Sequence, residues 1–230
     1  MSHPRFSNIG ACVFDAYGTL FDVHSAAARY RDDLGDAADA VSRTWRDKQL
    51  QYTWLRSLMG RQHHIDFWRL TGDALDFALA TQGIEDLRLR DKLHACYLEL
   101  DAYDEVKEVL TRLKQGGLKC AILSNGSPGM LAAGVRNAGI GDLLDAVISV
   151  EDVGVFKPHP SVYGMAVERL GVAPDRISFQ SSNAWDANAA AAFGFRVAWV
   201  NRFDQRPERL PGPADAVLGT LSELPPLLGL

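Results

Sequence analysis

The sequence has few cysteines, and their spacing rules out two common kinds of scaffold. Three occur among the 230 residues, Cys12, Cys96 and Cys120, and none forms a Cys-x-x-Cys pair. That number and spacing exclude a disulfide-stapled fold and a cysteine-ligated zinc site. Because Cys12 and Cys120 lie in apolar, strand-like stretches, we expect them to be core residues.

Long apolar segments and an excess of positive charge are also missing. No stretch approaches the roughly 20 apolar residues of a membrane helix. The first nine residues lack the apolar segment of a signal peptide. The net charge of −5 at pH 7 disfavours nucleic acid and anionic membranes as partners. We therefore expect a cytoplasmic protein.

Short apolar segments alternate with helical patterns along much of the chain. A first strand is predicted over residues 11–14. Further strands are predicted over residues 118–123, 146–150, 177–180 and 197–200, and helices over 105–114, 128–138, 161–170 and 187–193. This alternation is typical of parallel βαβ units. The sequence predicts an α/β fold with a doubly wound, parallel, Rossmann-like sheet.

The chain after the first strand has a different pattern. Apolar residues at helical spacing predict helices over residues 41–59, 65–82 and 87–100, with no strand between them. We expect this block to be a helical cap over the carboxyl ends of the strands. The predicted division is a core of residues 1–21 and 101–230 and a cap of residues 22–100. The tail 224–227 is predicted to be a loose terminus.

Four of the predicted strands end in loops that carry polar side chains. The loops bring Asp15, Tyr17 and Thr19; Ser124 and Asn125; Lys157, with Tyr163 on the next helix; and Ser181, Ser182, Asn183, Trp185 and Asp186. Parallel strands gather such loops at one edge of the sheet, where open α/β sheets bind their ligands.

Each of these residues also has a purely structural interpretation. Asp15 could cap a turn, and Ser124 and Asn125 are common turn formers. Lys157 could be a solvated surface lysine. Asp186 could cap the helix predicted to begin near residue 187.

The segment Asp15-Ala-Tyr-Gly-Thr-Leu resembles the first motif of the haloacid dehalogenase superfamily, in which the aspartate is a covalent nucleophile. Phosphatases of that superfamily have a second aspartate two residues later, which protonates the leaving group. Tyr17 stands there in this chain. A leaving group that needs no proton, such as a halide ion, fits this motif better.

Further segments make the resemblance more specific. Ser124-Asn-Gly-Ser-Pro, Lys157-Pro, Ser181-Ser-Asn-Ala-Trp-Asp and the cap segment 45–56 are similar to the L-2-haloacid dehalogenases, also called type II haloacid dehalogenases. Where phosphatases place acidic metal ligands, this chain has Ser181, Ser182 and Asn183. Magnesium usually needs carboxylate ligands, so we expect metal-independent catalysis with no cofactor.

The resemblance also implies a mechanism and a set of roles. Asp15 displaces halide from a short L-2-haloacid, and water then hydrolyses the resulting ester to a D-2-hydroxy acid. The implied catalytic residues are Asp15, Thr19, Lys157, Ser181, Asn183 and Asp186. The implied substrate-binding residues are Ala16, Tyr17, Arg46, Leu50, Ser124, Asn125, Tyr163 and Trp185. Arg46 and Asn125 would receive the halide, and a homodimer is expected.

Three other functions stay open at this point. A hydrolase that opens a strained ring such as azetidine-2-carboxylate would use the same aspartate. Its cationic nitrogen would favour an acidic group in the pocket, such as Asp47 beside Arg46. Since neighbours on a helix point about 100° apart, we expect Asp47 to face elsewhere. A superfamily phosphatase and a non-enzymatic binding protein with the same fold are the other two alternatives.

Overall fold

The computed structural model describes residues 6–230, which form a six-stranded sheet with helices around it. The strands are β1 (Ala11–Phe14), β2 (Lys119–Ser124), β3 (Ala146–Ser149), β4 (Ile177–Ser181), β5 (Arg196–Val200) and β6 (Ala216–Leu218). Their spatial order is β3-β2-β1-β4-β5-β6, and every neighbouring pair is parallel. The predicted α/β fold with a doubly wound parallel sheet is confirmed.

The strand order reverses between β1 and β4, at the centre of the sheet. From β1 the chain proceeds outward through β2 to β3, and then returns to the other side of β1 to build β4, β5 and β6. Ligands of open α/β sheets bind at such a reversal, beyond the carboxyl ends of the strands. The loop after β1, which carries Asp15, meets there the loop after β4 and the start of the helix that follows it, which carries Asp186.

Helices that follow the strands cover the sheet. They are α6 (Val106–Gln115), α7 (Pro128–Ala138), α8 (Pro160–Leu170), α9 (Ala184–Phe193) and the short α10 (Leu224–Leu227). Every residue of β1 and β4 is buried, as expected for strands covered on both faces. Cys12 and Cys120 are free and buried, and they lie opposite each other on the neighbouring strands β1 and β2. They are therefore confirmed as core residues.

The block between β1 and α6 is helical. It contains α1 (Ser25–Arg29), α2 (Arg31–Leu34), α3 (Ala38–Met59), α4 (Phe67–Thr81) and α5 (Leu87–Cys96). The long α3 ends at Gly60, whose φ of 101° is a left-handed conformation that favours glycine. None of the helices formed by residues 6–230 is both long enough and apolar enough to cross a membrane.

The chain leaves and re-enters the sheet domain through two adjacent segments. Phe21 forms an antiparallel bridge with Ala102, and the N–H of Asp22 donates to the carbonyl of Asp101 at 2.8 Å. These contacts lie at the predicted boundaries between residues 21 and 22 and between 100 and 101. The division into a core and a cap stays a prediction, and residues 1–5 of the predicted core lie outside the described residues.

Two regions differ from the sequence-based expectation. The predicted helix over residues 87–100 ends at Cys96. The tail predicted to be loose forms α10, in which Leu224 and Leu227 are buried. Its two prolines occupy the first turn of the helix, where a missing N–H leaves no hydrogen bond unmade.

Candidate active site

The carboxylate of Asp15 lies directly after β1 and faces three hydrogen-bond donors. Lys157 Nζ is 3.1 Å from Oδ1. The Thr19 hydroxyl donates to Oδ2 at 3.1 Å, and the Asn183 amide Nδ2 donates to the same oxygen at 2.9 Å. Asp15 is 6% exposed. A nearly buried carboxylate surrounded by three donors is held in one orientation.

Lys157 bridges two carboxylates. Its Nζ lies 2.9 Å from Oδ2 of Asp186 as well as 3.1 Å from Asp15, and the side chain is 1% exposed. Burial alone would lower the pKa of Lys157, but the charges of Asp15 and Asp186 outweigh it and raise that pKa. The lysine therefore remains an ammonium ion between the two carboxyl groups.

Asp186 is buried in the first turn of α9, behind Lys157. Asn183, not Asp186, occupies the N-cap position of this helix, so the capping interpretation of Asp186 is wrong. The Tyr163 hydroxyl donates to Oδ1 of Asp186 at 2.7 Å. Burial, together with the charge of Asp15, raises the pKa of Asp186, although Lys157 opposes the shift. A more basic carboxylate is better suited to accept a proton from water.

Tyr163 remains a neutral donor to this carboxylate. Burial, and then the negative charge of Asp186, raise the pKa of its phenol well above the usual value. The hydroxyl can therefore hold Asp186 but does not ionise near neutral pH. Tyr163 contacts Asp186, the candidate general base, and does not line the cavity described below.

Arg46 extends from α3 in the helical block to the loop that carries Asp15. Its Nη2 donates to the carbonyl of Tyr17 at 3.3 Å and to Oδ1 of Asn183 at 3.1 Å. Its Nη1 donates to Oε1 of Gln49 at 2.7 Å. Asp47, the next residue, is exposed and lines no part of the cavity, as helical spacing predicts.

A cavity beside Asp15 brings most of the predicted site residues together. It is lined by Asp15, Tyr17, Arg46, Leu50, Phe67, Ser124, Asn125, Lys157, Asn183 and Trp185. The sequence analysis missed Phe67, which begins α4 and lies 5.7 Å, centroid to centroid, from the Tyr17 ring. An aromatic residue at the start of a helix resembles any other core residue, so no sequence signal marked it.

Five predicted residues do not line this cavity: Asp186 and Tyr163, described above, and Ala16, Thr19 and Ser181, which shape its loops. The carbonyl of Ala16 accepts the N–H groups of the three residues 19–21, which closes the Asp15 loop. The Ser181 hydroxyl accepts the N–H of Asn183 at 3.2 Å and shapes the loop after β4. Thr19 joins both loops, because its hydroxyl also accepts the N–H of Ser182 at 2.8 Å.

Several backbone donors surround the same loops. Within residues 6–230, the N–H groups of Ala16, Tyr17 and Asn125 donate to no other group of the chain. Asn125 is itself fixed, because its Oδ1 accepts the N–H of Lys157 at 2.9 Å. Free backbone donors beside an ammonium ion and a guanidinium suit a small anion in an otherwise acidic protein.

The titratable residues are arranged around the lysine rather than around a metal site. Across the described part of the chain, no three His, Cys, Asp or Glu side chains are grouped so that they could hold a metal ion. The carboxylates of Asp15 and Asp186 each direct one oxygen at Lys157 Nζ.

Comparisons with known proteins identify the family of this chain. A family model described as haloacid dehalogenase-like hydrolase matches residues 9–194. The chain is 46% identical over 222 residues to (S)-2-haloacid dehalogenase 4A of Burkholderia cepacia, covering 96% of this chain and 95% of that protein.

Two solved structures share the whole fold. One is a dehalogenase with an intermediate complex, with 45% identity, a TM-score of 0.94, and coverage of 97% of this chain and 98% of that one. The other is L-2-haloacid dehalogenase from Xanthobacter autotrophicus with chloropropionic acid covalently bound. It has 40% identity, a TM-score of 0.89, and coverage of 96% and 98%. The chain belongs to the haloacid dehalogenase-like hydrolases and, within them, to the (S)-2-haloacid dehalogenases.

Proposed function

We propose that this protein hydrolyses short L-2-haloacids to D-2-hydroxy acids, with inversion, through an ester on Asp15 and without a metal ion. The observation that carries this proposal is the environment of Asp15, a carboxylate held by Lys157, Thr19 and Asn183 at the wall of a small cavity. The relative from Xanthobacter, whose structure has chloropropionic acid covalently bound, supports a covalent step.

In the first step, an oxygen of Asp15 attacks the α carbon from the side opposite the halogen. The new carbon–oxygen bond forms as the carbon–halogen bond breaks, and the halide leaves with the bonding electrons. Arg46 and the Asn125 amide would receive the developing negative charge. The substrate carboxylate would meet the Ser124 hydroxyl and the free N–H groups of Tyr17 and Asn125.

In the second step, water attacks the carbonyl carbon of the Asp15 ester. Asp186 accepts one proton of the water and returns it to the alkoxide that leaves, while the other proton is released to solvent. The hydroxy acid carries away an original oxygen of Asp15, and the water oxygen remains in the carboxylate. Tyr163 and Lys157 would hold Asp186 in place through this exchange.

The position of the lysine supports metal-independent catalysis. The Lys157 ammonium already lies within about 3 Å of both carboxylates, so a divalent cation in that position would have to displace it. The positive charge that orients Asp15 is thus supplied by the chain itself. Activity in the presence of a chelator is the direct consequence.

Halide release tests the proposal. Protein treated with a chelator is given L- or D-2-chloropropionate, with the Asp15→Asn variant as the matched control. We expect chloride from the L form alone, and none from the variant. Phosphate liberated from a phosphoester only when magnesium is added, with no chloride from either acid, would contradict the proposal.

The alternative functions are less well supported. A phosphatase would need a proton donor at position 17. The Tyr17 side chain is 4% exposed and packs against the rings of Phe67 and Tyr97. A ring-opening hydrolase would need an acceptor for a cationic nitrogen, and the candidate Asp47 is exposed outside the cavity.

We also propose a cap, a homodimer and a cellular location. Residues 22–100 would act as a cap, because Arg46, Leu50 and Phe67 cover a cavity whose reactive groups come from the sheet loops.

A homodimer would cover Leu58 of α3, which is 84% exposed. Sedimentation of Leu58→Asp against the unmodified chain tests this. Three free cysteines suit a reducing, cytoplasmic location.

A further inference from the structure

A buried amide in the helical block contacts the guanidinium of Arg46. Gln49 is fully buried, although glutamine is usually exposed. Its Oε1 accepts Arg46 Nη1 at 2.7 Å and the Tyr97 hydroxyl at 3.3 Å. Its Nε2 donates to the Thr71 hydroxyl at 2.8 Å. Gln49 therefore connects Arg46 to α4 and α5 through a chain of hydrogen bonds.

The direction of this chain is fixed at its far end. The Thr71 hydroxyl donates its proton to the carbonyl of Phe67 at 2.7 Å, so it offers Gln49 a lone pair and not a proton. The amide must then turn Nε2 toward Thr71 and Oε1 toward Arg46. In the flipped orientation, the Nε2 group would face the guanidinium of Arg46, which is also a donor. Oε1 would face the lone pair of the Thr71 hydroxyl, which is also an acceptor.

The guanidinium is thus held from two sides. Gln49 binds Nη1, while Tyr17 and Asn183 bind Nη2 above the nucleophile loop. A planar, forked cation held at both ends has little freedom to turn. Without the contact from Gln49, only the contacts made by Nη2 would remain.

We propose that Gln49, oriented by Thr71, is a positioning residue that sets the guanidinium of Arg46 for the departing halide. This inference rests on the proposed function, since the halide is what gives Arg46 its role. A neutral amide is the group that suits this task. A carboxylate at position 49 would hold Arg46 equally well but would neutralise the charge that the halide needs.

Thr71 offers the cleanest test, because it lines no part of the cavity. Thr71→Val keeps the shape of the side chain and removes the hydroxyl, whereas Thr71→Ser keeps the hydroxyl and serves as the matched control. Halide release in a single turnover is measured with L-2-chloropropionate and L-2-bromopropionate. Thermal unfolding of each variant is followed in parallel.

We expect Thr71→Val to slow chloride release by about tenfold, since a misplacement near 1 Å costs up to about a hundredfold. Bromide is the better leaving group and depends less on Arg46, so its release should slow by a smaller factor. Thr71→Ser should remain within about twofold of the unmodified enzyme. An equal loss for both halogens would indicate a structural effect and overturn the inference.

A second variant covers the case in which Thr71→Val does not fold. Gln49→Glu preserves size and the contact with Arg46, and we expect it to weaken inhibition by added bromide several-fold. Unchanged bromide inhibition would contradict the role of Gln49. If the unmodified protein releases no halide at all, the proposed function fails. If it is active and both variants match it, this inference alone fails.

Discussion

Replacing Lys157 by Met tests the electrostatics of the site. Methionine has a similar length and keeps the packing, but it leaves Asp15 and Asp186 with no cation between them. Each lysine–carboxylate pair, at 3.1 and 2.9 Å, contributes an attraction of roughly 5 kcal/mol at an effective dielectric constant of about 20. Both carboxylates are buried, so neither can recover that attraction from solvent.

The variant can relieve the repulsion between the two carboxylates by protonating one of them. For an aspartate with a reference pKa of about 3.9, binding a proton at pH 7 costs about 4 kcal/mol, at 1.36 kcal/mol per pH unit. This lies within the range of about 3–5 kcal/mol for breaking a buried pair. The folded variant then binds one more proton than the unfolded chain, so its stability falls as the pH rises.

Urea denaturation at pH 5.5 and pH 7 measures this effect. We expect a loss of about 4 kcal/mol at pH 7 and about 2 kcal/mol at pH 5.5, because the proton costs less at lower pH. Lys107→Met, at an exposed position of α6, is the matched control and should change the free energy of unfolding by less than about 0.5 kcal/mol. An equal loss at both pH values would refute the reasoning.

Three further predictions concern turnover. Asp15→Asn should abolish halide release and keep the unfolding transition cooperative; residual release above one part in about 10⁴ would contradict its role as nucleophile. Burial, the largest cause of the raised pKa of Asp186, persists when Asp15 is an ester, so hydrolysis of the ester should fall with decreasing pH at a value above the ordinary carboxyl range. Tyr163→Phe removes a donor to the charged form and should move that limb to still higher pH; an unchanged limb would exclude Asp186 as the base. Arg46→Lys should slow chloride release by about 10²-fold. The control Arg43→Lys, on the same helix, should not slow it. Equal rates of chloride release in the two variants would contradict the role of Arg46 in binding the halide.

The sheet and the catalytic loops could be predicted because their signals are local. A buried strand followed by a polar loop specifies where Asp15 and Asp186 lie, and parallel order brings those loops together. The helices α7 and α8 end at Gly139 and Gly171, which adopt the left-handed conformation that favours glycine. These features depend on a few neighbouring residues.

Other features depend on tertiary packing, which one sequence does not reveal. Gln49 lies among polar residues of α3 and resembles a solvated position until α4 brings Thr71 against it. β6 has only three residues, too few to show a strand period. The last turn of the chain is ordered because its leucines pack on the core, although Pro225 and Pro226 suggested a loop.

The fate of the water oxygen tests the central claim, that Asp15 becomes covalently attached to its substrate. A single turnover of L-2-chloropropionate in heavy-oxygen water is followed by mass analysis of the peptide that contains Asp15 and of the lactate. The account predicts one heavy oxygen in Asp15 and none in the newly formed hydroxyl of the product. Heavy oxygen in that hydroxyl, with Asp15 unlabelled, would show that water attacks the substrate directly and would contradict the account.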